Sequence, residues 1–286
     1  MIGLLLVSIS TLAEEIRDSL GKYEVSHHLS NIYALGFLTS VGGLITILAI
    51  GFLAPKDFLA PGFPAGFIFS TASLPTLLPR LLLELFQVHI TLRALVEADR
   101  STFGFLRTLT LPLLFAVDIL LGYHIGFLQV VGLSAIIGSL FILFVNHGLN
   151  TRGSGLVLLG AVNAVATISL FKYNITNFNS VETEQAISFA FLTVILLCVV
   201  IAKGQNPLRL ASRPLSVLHI LLSGAGSVVF GFALAFAPAS VITAAKRSLS
   251  VLWALVSGHA YFEEHHVVLK LVCFVLVSTG IVLLVV

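Results

Sequence analysis

Ionisable side chains are concentrated in an unexpected place, the segment TLAEEIRDSLGKY at 11–23, which lies within the first apolar stretch of the chain. Helical spacing sorts its polar residues into two stripes, one of Thr11, Glu15, Asp18 and Lys22 and the other of Ser10, Glu14 and Arg17. A carboxylate in a dry cavity has its charged form disfavoured, so it can exchange a proton for a substrate. We therefore expect Glu14 or Glu15 to couple the binding of a substrate to the release of a proton. The alternative is a permanent salt bridge between one of them and Arg17.

The third apolar stretch carries a second set of such residues. Arg80, Glu84 and Gln87 share one helical face with Thr91, whereas His89 and Arg93 lie on nearly the opposite face. A helix with two polar faces is unsuited to lipid, so the Arg80 face is predicted to point into a central cavity. There the guanidinium would lower the cost of the Glu84 charge. An ion pair that only fixes helix packing is the alternative interpretation.

The fourth stretch contributes Arg107 and Asp118, which share a face at i, i+11 and could pair with the first or third helix. A purely structural role for both is the alternative. The C-terminal half has fewer polar candidates, namely Asn163, His219, Lys246 and Arg247. Because ionisable residues in membrane helices are costly unless they face protein or water, Arg107, Asp118 and Arg247 are candidate site residues, and the polar Asn163 is added to them.

The composition indicates which elements must position these side chains. The chain has 286 residues, of which 58% are hydrophobic and only 10% charged, and its mean hydropathy is +1.08. No ordinary soluble domain is so apolar, so the chain is predicted to lie in a lipid bilayer. A hydrocarbon core of roughly 30 Å needs about 20 residues per helix, which leaves room for about ten spans. The small net charge of +2 gives no reason to expect a nucleic-acid partner.

Apolar runs between turn and charge clusters predict an all-α integral membrane protein with ten transmembrane helices. The predicted helices are 2–22, 29–54, 74–97, 101–122, 127–146, 154–173, 184–203, 214–237, 239–258 and 266–286.

Short sequence repeats divide these helices into two sets of five. SLGKY at 19–23 recurs as SLFKY at 169–173, and GFLTS of the second helix recurs as AFLTV of the seventh. RTLTLPLLFAVDILLGYHI from Arg107 matches RSLSVLWALVSGHAYFEEH from Arg247. With an odd number of spans per repeat, the second repeat must be inverted in the membrane. The predicted repeats are 1–148 and 149–286.

The repeat also compares the charged first helix with an apolar counterpart. Aligning SLGKY with SLFKY places Ala164, Val165, Thr167 and Ile168 opposite Glu14, Glu15, Arg17 and Asp18. The fold therefore does not require charges at these positions, which favours a functional role for them. The same alignment indicates that the first helix is retained and is not a cleaved signal peptide.

Several stretches resemble the EamA-type drug/metabolite transporters. In AAKRSLSVLWALVSGHAYFEEHHVVLKLVCFVLVSTGIVLL, Lys246 and Arg247 open the ninth helix, Glu263 or Glu264 occupies the following turn and Gly280 lies in the last helix. RALVEAD at 93–99 and FALAFAP at 232–238 resemble the small-residue end of that family's third helix. In the N-terminal half Tyr123–His124 replace the expected Glu. The resemblance implies a ten-helix transporter fold, for cargoes that range over amino acids, nucleosides, sugars, lipids and drugs.

HAYFEEHH at 259–266 combines imidazoles and carboxylates, which suit transition metals. It is not HExxH, and the family resemblance already accounts for a Glu at this turn, so neither a metal site nor any cofactor is expected. No phosphate-binding glycine loop or nucleophile elbow is present, and the chain is not expected to be an enzyme.

These observations predict a secondary active transporter of a small polar or amphipathic metabolite that works by alternating access. Two alternatives are a flippase for lipids or lipid-linked precursors and an intramembrane lipid-modifying enzyme that uses Glu14, Glu15 or the 259–266 cluster. The expected location is a bacterial or archaeal cytoplasmic membrane, with both termini cytoplasmic, as a monomer or homodimer. Some glycines are expected to allow close helix contacts or bending, namely Gly42, Gly43, Gly155, Gly160, Gly224 and Gly226.

Overall fold

The computed structural model describes residues 2–53, 66–120, 126–146, 151–236, 239–262 and 267–285. These ranges are predominantly helical and contain no β-strand. The helices of the N-terminal half are α1 (Ile2–Ser26), α2 (Ile32–Leu53), α3 (Leu74–Glu97), α4 (Arg100–Arg107), α5 (Thr110–Leu120) and α6 (Phe127–Val145). Those of the C-terminal half are α7 (Ser154–Asn177), α8 (Val181–Ala202), α9 (Pro207–Ala211), α10 (Pro214–Ser223), α11 (Val229–Phe236), α12 (Ala239–Phe262) and α13 (Val267–Val285).

Two predicted helices are interrupted. The predicted helix 101–122 is divided between α4 and α5 at residues 108–109. Pro112 explains this break, because it has no N–H to donate to the carbonyl four residues earlier, at Thr108, and its ring crowds that carbonyl. The predicted helix 214–237 contains a π-helical turn, Gly224–Val228, between α10 and α11.

Five helices are long and apolar enough to cross a membrane, which fits an all-α integral membrane protein. They are Ile32–Leu53, Phe127–Val145, Ser154–Asn177, Val181–Ala202 and Pro214–Phe236, the last counted through the π-helical turn. Large apolar side chains are exposed along them, including Phe52, Phe141, Val194 and Leu221. Such surfaces are suited to lipid, in which all backbone polar groups must be satisfied within the helices.

Contacts divide the chain into two compact units. Unit 1 comprises 1–92 and 166–238, and unit 2 comprises 93–165 and 239–286. Each unit therefore combines segments from both predicted repeats.

Unit 1 contains α1, α2, most of α3 and the helices from the second part of α7 to α11. α2 packs on α8 and α10, and α1 packs on α10, α11 and the π-helical turn. One apolar core joins α2 to α8 and α9 through Ala34, Phe37, Leu38, Leu192, Leu196, Val200 and Leu210. The polar side chains of α1 are consequently set against the C-terminal half of the chain.

In unit 2, α6 packs on α13, and α12 packs on α4, α5 and α13. The contact of α6 with α13 is close at Gly280, where an added Cβ would lie 2.7 Å from the carbonyl oxygen of Gly132. The main core of this unit includes Phe105, Leu111, Ile136, Leu143, Val251, Cys273 and Val277.

Candidate functional site

α1 is amphipathic with its polar side directed into the protein. Most of its exposed large apolar residues follow the helical period, namely Ile2, Leu5, Ile9, Leu12 and Ile16. Its buried residues include Ser10, Thr11, Glu15, Asp18 and Lys22. This arrangement suits a helix whose apolar side faces lipid and whose charged side chains are sheltered by protein.

The stripe of Ser10, Glu14 and Arg17 faces the π-helical turn. The hydroxyl of Ser10 donates to the carbonyl oxygen of Gly226 over 2.8 Å, and Arg17 Nη1 donates to Ser227 Oγ over 3.2 Å. A Cβ added to Gly226 would lie 2.6 Å from Glu14 Cγ. The carboxylate-bearing side chain of Glu14 is therefore in contact with this turn, and only glycine leaves room for it.

Arg17 pairs with its neighbour Asp18. Its Nη2 and Nε atoms donate to Asp18 Oδ1 over 2.7 and 3.0 Å, and the two side chains are 13% and 12% exposed. Glu14 also interacts electrostatically with Arg17. The sequence suggested a salt bridge between Arg17 and either Glu14 or Glu15. The structure shows that Arg17 forms a salt bridge with Asp18. Glu15 itself is buried, at 7% exposure.

His219 of α10 lies in the same region of unit 1. Its Nε2 is 3.0 Å from the Thr39 hydroxyl, and its Nδ1 has no hydrogen-bond partner among the described residues. A Cβ added to Gly21 of α1 would lie 3.7 Å from His219 Cε1, so the imidazole lies against α1. From sequence His219 was only one of the polar groups of the C-terminal half and was not among the predicted site residues. A single ionisable residue in an otherwise apolar span was the signal that could have added it to the site.

Arg80 is the centre of a second buried polar cluster in unit 1. It forms an ion pair with Glu184 of α8 and a longer one, at 3.4 Å, with Glu84. Its guanidinium also lies 4.7 Å from the centre of the Phe171 ring. The side chains of Arg80 and Glu184 are 4% and 0% exposed, whereas that of Glu84 is 25% exposed. The predicted pairing of Arg80 with Glu84 is therefore present but secondary to one with Glu184.

The second cluster extends to the connection between α7 and α8. Asn179 Nδ2 donates to Glu184 Oε1 over 2.7 Å and to Ser73 Oγ over 2.9 Å. The backbone N–H of Ser70 donates to Asn179 Oδ1 over 2.8 Å. The segment before α3 is held by these bonds, and sequence reasoning missed them because the partners are about a hundred positions apart.

The remaining predicted residues lie elsewhere. Gln87 donates to Thr91 over 2.9 Å, along the face predicted from their spacing. Arg107, Asn163 and Arg247 belong to unit 2, with Asn163 and Arg247 buried. Asp118 is in α5, but its side chain is outside the part of the structure described.

The metal-ligating residues of the HAYFEEHH motif fall partly outside the described residues, which omit 263–266. The Tyr123–His124 position is outside them as well. Within the described ranges, no group of three or more His, Cys, Asp and Glu side chains could hold a metal ion.

The glycines predicted at close helix contacts differ in their surroundings. A Cβ added to Gly42, Gly43 or Gly224 would come within 3.0 Å of a neighbour, as at Gly226. Gly155 instead faces open space on an exposed part of α7, so the close contact expected there is not formed with the described residues.

These helices and buried charges define a helical membrane protein with a polar interior in unit 1. Comparison with protein-family models and with curated proteins finds no match for this chain.

Proposed function

We propose that this protein is a secondary active transporter that moves a small polar or amphipathic metabolite by alternating access. The observation that carries the proposal is the contact of the charged stripe of α1 with the π-helical turn. Ser10 and Arg17 both donate to that turn, and Glu14 packs on Gly226. Substrate sites of secondary transporters are commonly formed near the bilayer midplane by helices that are broken there.

The position of the turn fits this proposal. It occupies 224–228, in the middle of the candidate span Pro214–Phe236. π-helical turns are rare and are frequent at functional sites. Irregular backbone and polar side chains therefore meet near the middle of this span. The side chains are those of Ser10, Glu14, Arg17 and Ser227. A substrate could exchange its hydration shell for contacts with them.

The cost of these charges also favours a function. An ionisable group within a membrane span costs several kcal/mol unless protein or water compensates it. The aligned helix α7 has Ala164, Val165 and Thr167 where α1 has Glu14, Glu15 and Arg17. A helix at this place can evidently be built without the charges, so their presence in α1 calls for a role beyond folding.

The helix contacts support two inverted repeats, 1–148 and 149–286, with ten spans. Corresponding helices of the two halves pack on each other: α2 on α8, α6 on α13, and α4 on α12. Pairing of this kind is expected when two repeats are related by a pseudo-two-fold axis. It is in keeping with the resemblance to the EamA-type transporters, and we propose membership of that class.

Proton coupling is assigned in this proposal to Glu14 and Glu15. Asp18 already accepts two hydrogen bonds from Arg17. Glu15 is buried, and Glu14 lies at the π-helical turn. Arg17, Ser10 and His219 then provide donors for an anionic or polar cargo. The proposed location is a cytoplasmic membrane.

A transport assay tests the proposal. Radiolabelled pools of amino acids, nucleosides and sugars are offered to proteoliposomes, and we expect uptake of one pool above that of empty liposomes. The variant Arg17→Gln should lose that uptake, whereas Arg152→Gln, which removes an exposed cation of unit 2, should retain it. Product formation by the purified protein in detergent, without a gradient, would instead identify an intramembrane enzyme.

A further inference from the structure

Unit 1 has an apolar groove that is separate from the buried polar clusters. It has a volume of ≈ 340 Å³ and lies among α3, the last turns of α8 and the first turn of α2. Its walls are formed mainly by aliphatic side chains, including Leu82, Leu85, Val88, Ile195, Leu196 and Val199. It opens to the outside of the helices, because Leu82 and Phe86 are 65% and 46% exposed.

One end of the groove is polar. The hydroxyl of Tyr33 lies 3.4 Å from Nδ1 of His89, and both residues line the groove. Lys203 follows the last residue of α8, and its ammonium lies 5.0 Å from the centre of the Tyr33 ring. The side chain of Lys203 is exposed. A cation, an imidazole and a phenol hydroxyl are thus gathered where α8 ends and α2 begins.

The length of the groove matches one leaflet of a bilayer. The lining residues of α3 run from Leu82 to Leu92, which is roughly 15 Å along a helix axis. Half of a hydrocarbon core is also about 15 Å. The polar end would then lie at the level of the headgroups, where tyrosine and lysine are favoured.

We propose that this groove binds one acyl chain of an anionic phospholipid whose headgroup is held by Lys203, with His89 and Tyr33 beside it. In a membrane the open side of the groove faces lipid, so an acyl chain is available to fill it. A lysine at the headgroup level attracts anionic lipids. The site is distinct from the α1 stripe and does not depend on the transport function.

Native mass spectrometry of the delipidated full chain tests the site. We expect phosphatidylglycerol adducts to exceed phosphatidylcholine adducts by about fivefold, the effect of one surface lysine. Glycerol 3-phosphate, which has the headgroup charge without acyl chains, should give no adduct. Equal binding of the two lipids, or binding of glycerol 3-phosphate alone, would overturn the proposal.

Four variants separate the two parts of the site. Lys203→Gln should abolish the preference for phosphatidylglycerol, and Arg152→Gln, which removes an exposed cation outside the groove, should preserve it. Ile195→Trp should fill the groove and remove adducts of both lipids, whereas Val194→Trp on the neighbouring exposed surface of α8 should not. Lipid adducts that are unchanged in Ile195→Trp would contradict a lipid occupant. So would a wild-type dimer that dissociates in this variant, because a second copy of the chain would then occupy the groove. Should Ile195→Trp fail to fold, the comparison of Lys203→Gln with Arg152→Gln still tests the proposal.

Discussion

Arg80 of α3 and Glu184 of α8 form an ion pair in which both side chains are almost completely buried, at 4% and 0% exposure. Asn179 donates to the other carboxylate oxygen of Glu184, so both oxygens have partners. Removing one member of a buried pair leaves an uncompensated charge, which is more costly than the pair itself.

Loss of either charge should therefore destabilise the protein strongly. We expect Arg80→Met and Glu184→Gln each to lower the free energy of unfolding by about 3–5 kcal/mol. The measurement is equilibrium unfolding in mixed micelles. Glu84→Gln is the matched control, since its carboxylate is 25% exposed and 3.4 Å from Arg80, and it should cost at most about 1 kcal/mol. A double variant as unstable as the sum of the single variants would show that the pair is not coupled.

Asn179 is expected to hold the segment before α3 in place. Asn179→Ala removes its bonds to Ser73, Glu184 and the backbone of Ser70. Amide hydrogen exchange at 68–73 should then become faster, most of all at Ser70, because the Ser70 N–H loses its acceptor and the rest of the segment loses its tie through Ser73 Oγ. Asn177→Ala is the control, as Asn177 is exposed and its side chain donates to the carbonyl of Tyr173, four residues earlier in the same helix. Unchanged exchange in Asn179→Ala would show that other contacts fix this segment.

Gly226 should tolerate no side chain. In Gly226→Ala the new Cβ would meet Glu14 Cγ at 2.6 Å and the Glu14 backbone nitrogen at 3.3 Å, so α1 must shift. We expect a loss of stability of about 1–3 kcal/mol, typical of overpacking, together with reduced uptake. Gly138→Ala is a control in α6 with open space at the new Cβ, and it should stabilise by about 0.5–1 kcal/mol. A Gly226→Ala protein as stable and active as wild type would refute a tight contact.

Much of this arrangement follows from sequence. The stripes of α1 were predicted from helical spacing, and the burial of Glu15 and Asp18 with exposure of Ile9 and Ile16 agrees with them. The spacing could not identify partners, since Ser227 is 210 positions from Arg17 and Glu184 is 104 from Arg80.

The π-helical turn could not be predicted either. Its sequence GAGSV contains small residues that fit an ordinary membrane helix, and no proline marks the irregularity. The turn packs closely against Glu14 and Thr46, which are distant in sequence, and no pattern within 214–237 identifies these neighbours. Glu184 was likewise not among the candidates named from sequence, and only the folded chain brings Arg80 to it.

Chemical labelling should distinguish the lipid side of α1 from its interior side. In a Cys198→Ser, Cys273→Ser background, a charged thiol reagent should label Glu14→Cys but not Ile16→Cys, although Ile16 is 43% exposed and Glu14 is partly buried. The reason is that the reactive thiolate forms in water and not in hydrocarbon. Asn177→Cys, at an exposed helix end, is the positive control. Labelling of Ile16→Cys without labelling of Glu14→Cys would contradict the proposal, because it would show that water reaches the Ile16 side of α1 and not the Glu14 side.

The most direct test of the central claim is the pH change that accompanies transport. A thermal-shift screen of metabolites first identifies a ligand, which is then added to proteoliposomes while an electrode records external pH. We predict a pH change for wild type, and its loss in Glu14→Gln or Glu15→Gln with ligand binding retained, because an amide cannot carry the proton. Glu97→Gln, at an exposed carboxylate at the end of α3, should behave as wild type. A pH change that persists undiminished in both the Glu14→Gln and the Glu15→Gln protein would contradict the assignment of proton coupling to the charged stripes of α1.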